Sequence, residues 1–299
     1  MSIPTGNGGE RRKTKTKTQM KLATKIVAAV SMAAVLMGSP LLAGDGKTFK
    51  EKVVVEEPRQ WYNAALSTGW DSLYMFRGVN VLRNNDTYGS GIYWTDLSFT
   101  WNITDNDFLT VGSWFAFGTQ NTSYKELDIY TTYTRTFGDF AVSFGYIFYY
   151  VLAPTTLYSH ELNAKVAYTW DLGFMTVTPS LTYFFNIGPN NDDSGIAPEA
   201  SSYLLARVDG SIPLYKDIVS LAPWIAFGTN FRYNASQESD GSLDFFNGAN
   251  NAEVGLGLPI KINSVITLYG YAAYSYQWNS LVGTEPSSFW GGAKVTFAF

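Results

Sequence analysis

The chain has 299 residues, a formal charge of -4, no cysteine, one histidine and 16% aromatic residues. Without cysteine there is no disulfide framework, no thiolate metal site and no lipid-modified cysteine anchor. Seven of the 21 Lys and Arg residues but one of the 25 acids precede Gly44, which leaves 14 bases against 24 acids beyond it. That acidic remainder is a poor partner for nucleic acid.

In chain order, Met20-Lys21 opens a second readable start, with Lys21 and Lys25 as a basic n-region. The apolar run Ile26 to Met37 and the small residues around Ser39 and Leu41-Leu42-Ala43-Gly44 then predict a cleavable secretory signal peptide, cut near Ala43. Residues 1–43 are thus read as an N-terminal extension plus signal peptide, with a twin-arginine address at Arg11-Arg12 the weaker reading. Residues 44–60, charged and containing Pro58, are read as a periplasmic lead-in. No other segment approaches eighteen consecutive apolar residues, which excludes helical membrane spans.

From Trp61 to Phe299 the hydrophobic period is two. Tyr158, His160, Leu162, Ala164, Val166, Tyr168 and Trp170 alternate with Ser159, Glu161, Asn163, Lys165, Ala167, Thr169 and Asp171. One such face suits hydrocarbon and the other a wet lumen. Twelve segments read this way: 61–76, 91–103, 108–118, 126–137, 140–151, 158–170, 174–186, 202–213, 218–234, 245–260, 265–279 and 287–299. The fold class predicted is all-β, a transmembrane antiparallel barrel of about 12 strands, in which an even count is required of a single-chain outer-membrane barrel. Tight turns at 104–107, 138–139, 171–173, 214–217 and 261–264 alternate with longer connections at 78–90, 187–201 and 233–244. Short periplasmic turns and longer outer loops have that asymmetry.

Aromatics fall near both strand ends, where Trp and Tyr favour the headgroup layer. Trp61, Tyr62, Trp101, Phe137, Phe140, Trp170, Phe174 and Phe299 mark the periplasmic ends. Tyr74, Phe76, Tyr93, Phe117, Tyr158, Phe185, Tyr203, Phe231, Tyr276 and Phe289 mark the outer ends. A secreted β-sandwich also alternates, but it explains neither the paired bands nor a chain whose last strand carries Ala293, Val295, Phe297 and Phe299 on one face. Phe297 and Phe299 resemble the C-terminal signal read by the barrel-assembly machinery.

Within the first segment, Tyr74-Met75-Phe76-Arg77-Gly78-Val79 resembles the first-strand signature of the TorF-type putative porins of Gram-negative bacteria. The resemblance is concentrated in residues 61–80 and implies an outer-membrane barrel of unassigned substrate, with no catalytic residues. Arg77-Gly78 has two readings: a turn out of the strand with Arg at the rim, or a part in selectivity.

No cofactor or metal pattern emerges. His160 takes lipid parity near the outer rim. It has no serine two residues along on its face and no Asp-His pair two apart, so it reads as an interfacial aromatic. The loop Asn190-Asn191-Asp192-Asp193 offers oxygens for calcium but reads as a solvated loop. Arg135 takes lipid parity near a periplasmic end, where it can snorkel.

Inward parity collects Asp71, Arg77, Asp96, Glu126, Asp128, Glu161, Lys165, Arg207, Asp209, Arg232, Glu253 and Lys294. A Lys or Arg at the lipid midplane costs about 2–4 kcal/mol, so burial energetics alone send these groups inward. They brace the wall as ion pairs, set a mild preference for cations or neutral solutes, or do both. Trp94, Trp114, Trp224, Tyr269, Tyr271 and Trp290 share that parity, as lumen filler or as a stacking track. Twelve strands about 4.8 Å apart and tilted about 40° give a backbone diameter of roughly 24 Å, leaving on the order of 10 Å of bore at most. The expectation is a passive porin-like channel in the bacterial outer membrane, in contact with its lipids and passing small solutes, not an enzyme. The alternatives are a closed structural or adhesive barrel acting through its outer loops, and a nucleoside- or sugar-selective channel.

Overall fold

The computed structural model describes residues 61–82, 91–120, 123–154, 156–188, 200–237, 243–278 and 287–299. The proposed signal peptide, the lead-in and the Asn190–Asp193 loop lie outside them.

Twelve strands form the wall: β1 (Tyr62–Asp71), β2 (Ile92–Asn102), β3 (Asp107–Gly118), β4 (Lys125–Phe137), β5 (Phe140–Ala153), β6 (Leu157–Tyr168), β7 (Thr176–Gly188), β8 (Ser202–Tyr215), β9 (Val219–Gln237), β10 (Leu243–Lys261), β11 (Ile266–Gln277) and β12 (Ser288–Ala298). The two-residue strand Trp170–Asp171 prolongs β6 along β7. Each strand pairs antiparallel with its sequence neighbour, and β12 pairs with β1 from Ala65↔Ala298 to Asp71↔Gly292, so the sheet closes. Phe299 exchanges both backbone hydrogen bonds with Ala64, at 2.8 and 3.1 Å. Closure leaves no open edge, which a strand-built membrane span demands.

The register sorts side chains as the two-residue period predicts. Leu97, Ile129, Phe144, Leu162, Leu181, Ile225, Val254 and Leu268 stand exposed on the outer face, where only hydrocarbon satisfies them. Rings band the short-turn end: Trp61, Trp101, Phe137, Trp170, Phe174 and Phe299 are all exposed. Trp61, Tyr62, Phe99 and Trp101 line a shallow groove there. Arg135 lies outward at that end, half-exposed, paired with Asp107 at 3.2 Å and set over the Phe137 ring.

Three features depart from the sequence reading. Strand β1 stops at Asp71 rather than residue 76. Tyr74, Phe76 and Tyr203, expected in the outer ring band, are at most 2% exposed and lie inside the barrel. Strands β9 and β10 run through 237 and from 243, farther than alternation alone indicated. Of the remaining outer-band residues, Tyr93, Phe117, Tyr158, Phe231, Tyr276 and Phe289 are exposed as expected and Phe185 is half-buried.

Within the wall, glycines let large lumen side chains lie flat. A Cβ on Gly69 would meet the Trp94 ring at 2.7 Å, and one on Gly255 would meet Trp224 at 2.0 Å. The cross-strand pairs Gly69↔Trp94 and Trp224↔Gly255 carry this close fit.

Candidate functional site

After Asp71 the chain turns back into the barrel at its long-loop end. Met75–Phe76 pairs with Val79–Asn80 as a short ribbon. Its tip, Arg77-Gly78, has φ of 46° and 81°, the two successive positive values of a type I′ turn. Gly78 is suited to this on two counts: glycine tolerates the positive φ, and a Cβ there would meet Asn251 at 2.5 Å. Tyr74, Phe76, Arg77, Val79, Asn80, Val81 and Leu82 are each at most 7% exposed. The hairpin therefore fills the upper lumen as a plug.

The wall holds the plug by backbone and side chain. The Asn250 amide donates to the Arg77 carbonyl at 2.6 Å and Asn234 donates to it at 3.3 Å. The Gln277 amide donates to the Gly78 carbonyl at 2.6 Å. The Tyr74 hydroxyl donates to Glu126 at 2.8 Å, beside Tyr124 at 2.6 Å. Burial, reinforced by the Glu126 carboxylate, holds the Tyr74 phenol well above its ordinary range, so it stays a donor.

At the centre stands Arg77. Its two terminal nitrogens donate to the two oxygens of Glu161 at 2.8 Å each. Tyr149 and Tyr233 each add a hydroxyl to Glu161 at 3.1 Å. The guanidinium carbon lies 4.0 Å from the Phe184 ring centre, 4.4 Å from Tyr233, 4.7 Å from Phe76 and 5.3 Å from Tyr203. A forked, charge-assisted pair within an aromatic enclosure is a strong and directional arrangement.

The proposed lumen residues separate into two levels. Glu126, Asp128 and Glu161 are fully buried against the plug. Away from these three lie Asp71, at the end of β1 where the plug begins, and Asp96, Lys165, Arg207, Asp209, Glu253 and Lys294 on the other strands of the wall. There Asp71 accepts from Trp94 at 2.9 Å and Tyr271 at 2.5 Å, and Asp96 accepts from Tyr130 at 3.1 Å. Arg207 pairs with Asp209 at 2.8 Å and lies 3.9 Å from Glu253, which also accepts from Trp224 at 2.7 Å. The Lys294 ammonium sits over the Tyr269 ring. Side-chain exposure reaches 41% at Asp209. The lumen is thus packed at the plug, and Asp209 is the more accessible member of the lower cluster beside Arg207 at 15% and Glu253 at 9%.

Two of the charged assignments change. Arg77 belongs to the plug rather than the wall. Arg232 is exposed: it lies in the β9 bulge between Phe231 and Ala235, has a φ of 59°, and stands where the alternation is interrupted. The same bulge turns both Tyr233 and Asn234 inward. Of the aromatic set, Trp114, Trp224 and Trp290 are at most 6% exposed and packed, with Trp224 tied through its N–H to Glu253 and Trp94 to Asp71.

Sequence reasoning missed the wall amides Asn234, Asn250, Asn251 and Gln277 and the rings Tyr149 and Phe184. Inward parity would have found most of them; uncharged amides were not weighed. His160 lies on the outer face, its Nδ1 2.6 Å from the Tyr146 hydroxyl and its ring 5.0 Å from Phe148. Ser159 faces the lumen and bonds Asn186 at 3.0 Å, so it does not meet His160.

An outer membrane channel from Pseudomonas putida F1 has the same architecture, with a TM-score of 0.54 at 11% identity, covering 84% of this chain and 100% of that one. The fold is that of an outer-membrane β-barrel. The NanC porin aligns at a TM-score of 0.49 and 13% identity over 78% of this chain and 98% of its own. The translocator domain of the autotransporter NalP from Neisseria meningitidis aligns at 0.42 and 13% over 82% and 90%. These are likenesses of fold. No family model matches the chain, and no curated protein matches it in sequence. In an outer-membrane barrel the short turns face the periplasm and the longer loops the exterior, so the plug sits on the outer side.

Proposed function

We propose that the barrel is a passive channel for small solutes whose bore is narrowed by the hairpin of residues 72–82. The observation that carries this reading is the cluster of Asp209, Arg207, Glu253 and Lys294 on the inner face of the wall, where Asp209 keeps 41% of its side chain accessible. Filling that space with apolar side chains would brace a wall better than charges do. Water and ions there make a conduction path.

On this reading solutes move by diffusion, filtered by width and lumen charge, and no enzymatic role is assigned to His160. The Tyr-x-Phe-Arg-Gly residues that carry the TorF-type resemblance are those that build the plug. Residues 1–43 as an extension and signal peptide, 44–60 as a periplasmic lead-in, and Phe297 and Phe299 as the handle for the barrel-assembly machinery complete the proposal. The buried tryptophans serve as filler rather than as a sugar track.

Single-channel recording of the refolded barrel in planar bilayers tests the channel. We expect small, steady conductance in the native protein and larger, noisier conductance in Arg77→Ala, where the plug loses its anchor. A second reading, a closed structural barrel, is favoured by the full burial of the upper lumen; silence in both proteins would establish it over the channel.

A further inference from the structure

The groups that hold Arg77 belong almost entirely to the wall. Glu161 is on β6, Tyr149 on β5, Phe184 on β7, Tyr203 on β8 and Tyr233 on β9, while Phe76 travels with the hairpin. Removing the Arg77 side chain would leave the Glu161 carboxylate with two phenol donors already in place and three wall rings around it. Such a carboxylate would lack its cation, and a charge left uncompensated beneath the seated hairpin calls for a replacement.

We propose that Glu161, Phe184, Tyr203 and Tyr233 form an organic-cation site in the lumen, and that Arg77 is its tethered occupant. The chemistry selects a class. Two carboxylate oxygens each receive one N–H at 2.8 Å, which demands a planar fork with paired donors. Ring centres between 4.0 and 5.3 Å from the guanidinium carbon favour a flat, weakly hydrated cation over a compact ammonium. Small guanidinium compounds meet both requirements. A simple structural brace accounts for this design less well: a buried ion pair contributes little net stability beyond what apolar packing gives, whereas its fork and rings specify shape. That such cations are also the solutes carried rests on the channel reading above; the binding site does not.

Titration calorimetry on detergent-folded Arg77→Ala, with methylguanidinium and methylammonium chlorides as probes, tests the site without requiring any current. We expect saturable methylguanidinium binding in the millimolar range, with methylammonium at least about tenfold weaker for want of the fork. The native barrel, its site filled, should bind neither at those concentrations. Adding Glu161→Gln to Arg77→Ala should abolish binding. If Arg77→Ala folds poorly, its refolding yield becomes the readout, and methylguanidinium should raise it while methylammonium does not. A folded Arg77→Ala that binds no methylguanidinium, binds both cations equally, or keeps its affinity with Glu161→Gln overturns the site. So does an unfolded one that methylguanidinium does not rescue. Binding without conductance would retain the site and discard the channel; conductance without binding would do the reverse.

Discussion

Gly78 and Arg77 make the plug possible by different physics. Gly78 permits the tip to turn at φ 81° while Asn251 lies against it. Replacing it with alanine adds both strain and a clash, and we expect Gly78→Ala to lower stability by about 1–3 kcal/mol, measured by urea unfolding in detergent. Arg77 supplies two parallel donors where lysine has one point of charge. Arg77→Lys should therefore keep the fold but weaken the hairpin's hold by about 1.5–3 kcal/mol, seen as faster hydrogen exchange over residues 74–82. A variant indistinguishable from the native protein would show that charge alone anchors the tip. From sequence, Arg77 was readable as a residue of consequence. Its destination was not: no local pattern reports that a strand ends at Asp71 and the following residues fold inward.

Among the elements, β9 shows why alternation is a strong but breakable guide. Through Asn230 its inward residues follow every second position; past the bulge, Tyr233 and Asn234 both face the plug and Arg232 leaves it. Four residue steps of β9 from Phe231 to Ala235 stand against two of β10 from Asn247 to Phe245, so two extra residues break the alternation locally, and no sequence feature of Phe231 to Ala235 announces the insertion. The plug itself depends on β6. Removing the Glu161 charge strands a buried guanidinium, and we expect Glu161→Gln to cost about 3–5 kcal/mol, more than a typical single wall substitution. Asn250→Ala, which removes one amide from the Arg77 carbonyl, should cost about 1–3 kcal/mol by the same measurement. If the two variants were equally mild, the ion pair would be ornamental.

For the whole molecule, the sequence revealed the wall almost completely, because lipid on one side and water on the other impose a period that each strand must obey. The turn at 138–139 and the closing Phe299 fell where predicted for the same reason, and the turns predicted at 104–107 and 214–217 lie at 103–106 and 216–218. Lipid exposure also sets a penalty that can be measured: Leu162→Lys, in the middle of β6 on the outer face, should cost about 2–4 kcal/mol in a bilayer. The lumen was legible as a list of charges and not as an arrangement, since partners such as Arg77 and Glu161 lie 84 residues apart.

The plug touches Glu126 on β4, Glu161 on β6, Phe184 on β7, Tyr203 on β8, Asn234 on β9, Asn250 on β10 and Gln277 on β11. These anchors are contributed by chain synthesised after the hairpin, as far as 199 residues downstream. Until β11 has taken its place, the berth for Arg77 and Gly78 is incomplete. Seating of the hairpin is consequently a late event, and its protection against proteolysis marks a barrel that has assembled with every strand in order.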